Sequence, residues 1–198
     1  MTNLKTSALT LTILLTVWGI AVGLGLEMLW QFQSTPGDAL ACQDQAWPSQ
    51  APFGLESQQL TLVMFVHPRC PCTVASVSEL RRVTAGLGSM PRIHLAILQP
   101  LEPDDSWQSN ELVQTGCKLP GAEIHWDHGG QIARLFGTNT SGQVLLFDPQ
   151  GRSLYRGGVT DLRGQEGPSR EGEALRRCLV TGRQAERDYP VFGCALQD

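Results

Sequence analysis

The sequence is short of positive charge. Its 15 Lys and Arg are outnumbered by 19 Asp and Glu, the net charge is −4, and the basic residues gather into no patch. Nucleic-acid binding needs a basic face, so that class is excluded. Lysine is scarce, and arginine supplies nearly all of the cations. Charged residues are 17% of the chain against 41% hydrophobic, and 198 residues suffice for one globular domain plus an appendage. No internal repeat is present, which excludes a repeat array. Residues 8–26 carry no charge at all.

Cysteine is not scarce. Six thiols are many for a cytosolic chain of this length, and an even count points to an oxidising compartment. Six cysteines allow fifteen connectivities, and spacing alone does not choose among them.

The chain is organised around residues 61–73, where a buried apolar run meets two thiols. Residues 60–66 are rich in Leu, Val, Met and Phe without charge, which suits a strand buried on both faces. Pro68 and Pro71 break it. Residues 72–87 read as a helix, with Val74, Val77, Leu80, Val83 and Leu87 at spacings of three and four. With Cys70 as the N-cap, Pro71 takes the first helical position, where its missing N–H costs nothing. The free N–H groups and dipole of the first turn then favour a thiolate at Cys70 by roughly 0.3–1 kcal/mol. Arg69 adds a neighbouring positive charge. A Cys70–Cys72 disulfide is geometrically feasible, and its strain marks a labile bond.

The apolar run at 8–26 is about as long as a spanning helix requires. Trp30 just beyond it suits an interfacial belt, and Lys5 favours a cytoplasmic N-terminus. The reading is a cytoplasmic stretch at 1–7, a membrane anchor at 8–30, a linker at 31–58 and a globular domain at 59–198. Two alternatives compete with an uncleaved anchor: a signal-peptidase site at Ala39-Leu40-Ala41, and a lipoprotein acceptor at Cys42. The first lies far past the apolar run. The second has Ala39 where that motif wants Leu.

The globular domain follows an α/β order. Strands are predicted at 60–66, 92–98, 122–126, 143–147 and 152–157. Helices are predicted at 72–87, 107–115, 128–136 (capped by Asp127) and 172–181. This order gives a three-layer α/β fold, a mixed sheet with helices on both faces.

At this point the residues resemble a thioredoxin-fold protein. The likeness rests on Leu62-Val63-Met64-Phe65, on the thiol pair at the next helix start, and on the hairpin Val144 to Arg152. It is of the membrane-tethered TlpA and ResA type. More narrowly, His67 to Cys72, Thr140 to Asp148, Gly157 to Thr160 and Val191 to Cys194 resemble the bacterial group labelled RedB. The resemblance covers about residues 60–195 and the anchor. It implies a thioredoxin-like fold and a thiol redox role on the periplasmic or outer side of the bacterial cytoplasmic membrane. Its partners are then protein thiol or disulfide clients and a membrane electron donor or acceptor. No cofactor is called for.

Three departures from that pattern stand out. The usual C-x-x-C is C-x-C. Arg69 replaces the Trp before the first Cys. Gly142, after Thr140 and Ser141, takes the place of the proline that faces the site, which leaves metal binding open.

The sharp reading makes Cys70 the attacking thiol and Cys72 its partner, with Arg69, Pro71, His67, Thr140, Ser141 and Gly142 in support. A second reading is a copper metallochaperone, with His67, His125 or His128 joining the thiols. The bland reading is a non-catalytic binding module. His94 reads as a core or sheet-face residue. For the remaining cysteines the plain pairings are Cys178–Cys194 and Cys42–Cys117. The sharper alternative has Cys194 reach the site as a resolving thiol. The 163–167 loop is either a border of the site or a solvated connection.

Overall fold

Every residue of strand β1 (Thr61–Val66) is buried, as its continuous apolar sequence requires. Side chains alternate across a strand. Leu62, Met64 and Val66 therefore enter one apolar cluster, while Val63 and Phe65 enter another on the opposite face. Each such side chain contributes roughly 1.5–3 kcal/mol on burial. β1 is thus the wall between two cores and the rigid base of whatever follows it.

The structure is a computed structural model that describes residues 2–37, 46–102 and 119–196. The predicted helix at 107–115, Cys42, Cys117 and their pairing lie outside the described residues. The chain divides into two units, Met1–Thr35 and Pro36–Asp198. The first is helix α1 (Thr2–Ser34), of which Ala8–Ser34 is long and apolar enough to cross a membrane. Its large apolar side chains, Leu9 through Phe32, are exposed.

In the second unit the elements after β1 are α2 (Cys72–Thr84), β2 (Arg92–Gln99), β3 (Ala122–His128), α3 (Gln131–Leu135), β4 (Val144–Phe147), β5 (Ser153–Gly157) and α4 (Arg170–Thr181). They form one five-stranded sheet in the order β3-β2-β1-β4-β5. β1, β2 and β3 run parallel, and β4 and β5 are antiparallel additions. Val77, Leu80 and Val83 of α2 and Leu175 and Leu179 of α4 cover one face. Ile132 and Ala133 of α3, with Phe136 and Phe53, cover the other. A parallel strand–helix–strand joined to an antiparallel hairpin and closing helix is the thioredoxin-like arrangement, in three layers.

Several boundaries differ from the sequence reading: the strand ends shift by about one residue, and α2 stops at Thr84 rather than at 87, because Ala85 is already extended at ψ 133°. β3 runs on to His128 because its register with β2 continues to Gln99. α3 therefore starts later, at Gln131, after Gly129 and Gly130 turn the chain at φ 58° and 71°. Asp127 still caps it from the strand end, accepting from Ile132 N at 2.6 Å and Ala133 N at 3.0 Å. α4 starts at Arg170 because Ser169 is its N-cap, accepting from Gly172 N at 2.9 Å.

Candidate active site

β1 delivers the chain to His67 just past the C-terminal end of the central strand, and a tight turn follows. The Cys70 N–H donates to the His67 carbonyl at 3.0 Å, and the Thr73 N–H donates to the Cys70 carbonyl at 3.0 Å. The expected helix start shifts in consequence. α2 begins at Cys72 with Pro71 as its N-cap residue, already at φ −63° and ψ −25°, so Cys70 stands one residue outside the cap. The turn uses the Cys70 backbone groups before the helix can. Of the expected first-turn donors, the Cys72 N–H is the one that reaches the Cys70 sulfur.

The 140–142 segment closes the site from β4. Gly142 N–H donates to Phe65 O at 2.8 Å, and Gln143 O accepts from Phe65 N at 3.0 Å, so the segment extends the β1–β4 ladder. Ser141 Oγ accepts from the His67 N–H at 2.9 Å and lies 3.3 Å from Thr73 Oγ1. Gly142 has φ +89°, and a Cβ there would press on Ser76 Oγ of α2 at 3.1 Å. Ser141 is therefore held against the thiol turn and Gly142 against α2, while Thr140 pairs with Ala195 of the tail.

Cys70 and Cys72 are both buried, at 1% and 7% exposure. A third thiol joins them. Cys194, from the tail, hydrogen-bonds Cys70 through its thiol and its backbone N–H. Burial alone would push the Cys70 thiol up. The hydrogen bonds from the Cys194 thiol and N–H, and then from the Cys72 N–H and thiol, outweigh it and hold Cys70 below its ordinary value. Burial, and next the charge on Cys70, push Cys72 up. Burial and the bond to Cys70 push Cys194 up to about 12. Cys70 is thus the thiol of the three that is favoured as thiolate.

Cys178 is elsewhere. It is a free thiol buried in the core with Tyr155, and burial raises it. The Cys178–Cys194 pairing is not formed, because the tail is pinned to residues 139–141. The cation acting on Cys72 and Cys194 is Arg163, whose charge lowers both, and the Gly164 N–H bonds the Cys72 sulfur. The 163–167 loop is therefore a border of the site at its first two residues. Arg69 is exposed, and its N–H donates to His67 Nδ1 at 3.1 Å.

The other histidines are not gathered at the thiols. His125 Nε2 lies 2.9 Å from His94 Nδ1, and both rings stack on Phe53. His128 ends β3, two strands away from β1. Among the described residues, the group of three ligand atoms lying mutually within 4.8 Å is His94, Glu123 and His125.

No protein-family model matches the chain, and no curated protein matches it in sequence. Solved structures do match in fold. An uncharacterized conserved protein from Geobacillus kaustophilus superposes with a TM-score of 0.59 at 20% identity, over 83% of this chain and 93% of that one. A hypothetical protein from Sinorhizobium meliloti 1021 gives 0.50 at 23% identity, over 83% and 96%. A secreted Mycobacterium tuberculosis disulfide oxidoreductase homologous to E. coli DsbE gives 0.44 at 14% identity, over 69% and 93%. At these identities the likeness is one of fold. The chain is a thioredoxin-fold protein with three thiols gathered at the end of its central strand.

Proposed function

We propose that this chain is a membrane-anchored thiol–disulfide oxidoreductase whose redox pair is Cys70 and Cys72. One observation carries the reading: Cys70 is a buried thiol at the end of the central strand whose sulfur is bonded by the Cys194 and Cys72 thiols and N–H groups, an environment that favours its thiolate. A buried thiol without such partners moves the other way, as Cys178 does.

The Cys70 thiolate takes one sulfur of a client disulfide, that S–S bond breaks, and the first client thiolate leaves. Cys72 then displaces the second client sulfur from Cys70 and leaves a Cys70–Cys72 disulfide. A membrane electron donor or acceptor resets the pair, and clients are protein thiols or disulfides. α1 anchors the chain in lipid with residues 1–7 in the cytoplasm, and 59–198 faces the periplasm or outside of a bacterial cytoplasmic membrane. The even cysteine count and Lys5 support that orientation. The narrower kinship is with the TlpA and ResA type, and within it the RedB group, on the motifs at 67–72, 140–148 and 191–194.

Two other readings compete, a copper metallochaperone and a non-catalytic binding module. Neither gains an observation at the thiols, since the group that does meet ligand spacing lies at His94.

Turnover of a model protein disulfide by the full reduced chain tests the proposal. Wild type turns over and Cys70→Ser does not. Equal rates for the two, or no turnover by wild type, would sink it.

A further inference from the structure

Residues 190–196 are anchored along their whole length. Pro190 O accepts from Gly158 N at 3.0 Å, and Val191 O accepts from Gly37 N at 2.8 Å. Cys194 O accepts from Ser141 N at 2.8 Å, Leu196 N donates to Asn139 O at 2.7 Å, and Thr140 pairs with Ala195 in an antiparallel bridge. Arg163 Nη1 donates to the Gly193 carbonyl. Leu196 is buried with Val63, Phe65 and Phe147. Cys194 is therefore fixed between anchors on both sides and lies in bonding contact with Cys70.

Exposure separates the three thiols. Cys70 and Cys72 are buried, whereas Cys194 is partly exposed. Of the three, Cys194 is the residue open to solvent.

We propose that Cys194 is a relay thiol, and that exchange between a client and the buried pair passes through a Cys70–Cys194 disulfide. This rests on the oxidoreductase reading above, keeps its final Cys70–Cys72 disulfide, and puts attack by Cys194 in place of direct attack by Cys70 on the client. Cys194 passes its proton to the Cys70 thiolate to which it is hydrogen-bonded, and its sulfur attacks the client disulfide. The client S–S bond breaks, and the first client thiolate leaves with that proton. The Cys70 thiolate then attacks the Cys194 sulfur. The second client thiolate departs, taking the Cys72 proton, and a Cys70–Cys194 bond is formed. Cys72 attacks Cys70, a Cys70–Cys72 bond replaces it, and Cys194 leaves as a thiolate that water reprotonates. The client disulfide is reduced, the buried dithiol is oxidised, and no other oxidant enters.

The test uses the full reduced chain, oxidised glutathione as the probe, and non-reducing peptide mapping by mass spectrometry. In Cys72→Ser the relay stops at a Cys70–Cys194 linked peptide. In Cys194→Ser the Cys70–Cys72 disulfide still forms, at least tenfold more slowly than in wild type. Wild type sampled early shows the 70–194 link ahead of the 70–72 link, which keeps the test independent of how well any variant folds. A Cys194→Ser rate equal to wild type, or no 70–194 link in Cys72→Ser and in early wild-type samples, overturns the relay and leaves the redox pair standing. Absence of a 70–72 disulfide from every sample overturns the oxidoreductase reading as well.

A second, independent cluster lies on β2 and β3. The register sets His94 opposite Glu123 and places His125 two residues on, so all three share one face of the sheet. His94 Nδ1 is 2.9 Å from His125 Nε2, and Glu123 Oε2 is 3.5 and 4.0 Å from these nitrogens. An ion held at about 2.0–2.1 Å by both nitrogens in tetrahedral geometry needs them roughly 3.3 Å apart, a small adjustment. Arg92 holds Glu123 Oε1 and leaves Oε2 facing the imidazoles. The other His94 nitrogen is buried with no hydrogen bond made. We infer that His94, His125 and Glu123 form a site for a borderline divalent cation such as Zn²⁺, with one position open. Equilibrium dialysis of the full chain against Zn²⁺, with all thiols blocked by N-ethylmaleimide, tests it. One equivalent binds, and His125→Gln and Glu123→Gln each weaken it at least tenfold. No uptake at micromolar Zn²⁺, or uptake unchanged in both variants, overturns it.

Discussion

Gly193 and Ser141 are in backbone contact so close that a Cβ at position 193 would overlap the Ser141 carbonyl oxygen. Only glycine lets the tail lie on the 139–141 segment, and that packing is what sets Cys194 against Cys70. Gly193→Ala therefore lifts the tail. At a pH high enough to ionise Cys70 in both chains, its peptide is then alkylated by iodoacetamide at least tenfold faster in the folded chain, because its cover is gone; at pH 7 the loss of the Cys194 bonds opposes that gain. The Cys70–Cys194 link falls in yield at the same time. An unchanged Cys70 alkylation rate would show that the tail does not gate it.

Arg163 is the second control on the tail. Its guanidinium donates to Gly193 O, and its charge opposes the upward shifts of Cys72 and Cys194. In Arg163→Gln both thiols titrate higher, so less thiolate is present at any given pH. One pKa unit corresponds to about a tenfold loss of thiolate below the pKa. Exchange with oxidised glutathione accordingly slows by a similar factor throughout pH 6 to 10, because Cys194, pushed up to about 12, stays mostly protonated over that range. Arg163→Lys retains the charge and restores part of the rate at pH 7. Rates of the three chains from pH 6 to 10, with urea unfolding to show that each is folded, check both; an equal loss in Arg163→Lys and Arg163→Gln would remove the charge from the explanation.

Much of this was legible in the sequence, and the illegible part has a physical reason. The strand–thiol–helix junction, the 143–157 hairpin and the last helix are written in local periodicity, so they appear within a few residues of their observed ends. The Cys70 cap position was missed by one residue. A proline at the first helical turn and one at the N-cap give the same local pattern, and the His67–Cys70 turn decides between them. The Cys70–Cys194 contact was visible only as an alternative, because it depends on the Thr140–Ala195 bridge between distant segments. In sequence Arg163 stands out only as part of a bordering loop, because its contact with Gly193 joins segments thirty residues apart. The His94, Glu123 and His125 cluster depends on strand register, which no single-segment pattern encodes.

Asp148 fixes the hairpin turn and gives it a pH dependence. Its carboxylate accepts from Gln150 N at 3.0 Å and Arg152 N at 2.8 Å, and from Arg152 Nε at 2.7 Å. Burial alone would raise it, but the Arg152 N–H and guanidinium and the Gln150 N–H hold it below its ordinary 3.8. A depressed folded value stabilises the fold fully above 3.8 and loses that contribution as the pH falls through the folded value. Asp148→Asn should therefore cost roughly 1–2 kcal/mol at pH 7. The gap between variant and wild type should close on acidification, as read by urea unfolding at pH 7 and near pH 2. A gap that stays constant with pH would remove the carboxylate from the explanation.

Ser169 joins three elements through one hydroxyl. It caps α4 at Gly172 N, and it sits 2.6 Å from Val159 O and 3.1 Å from Oε1 of the buried Glu79 on α2. Glu79 is in turn held by Arg82 at 2.8 Å. Ser169→Ala removes the cap and a polar neighbour of a buried carboxylate together. The cap alone is worth about 1 kcal/mol. Ser169→Asp separates the two roles. Aspartate is as good a cap as serine, yet here it sets a second carboxylate against Glu79, and like charges at that distance repel. If the hydroxyl serves Glu79 as well as the helix, urea unfolding of the reduced chain at pH 7 ranks stability as wild type, then Ala, then Asp. If it is a cap and nothing more, Asp equals wild type. The order of the two variants therefore decides whether α2, which carries the thiols, is tied to α4 through this one side chain.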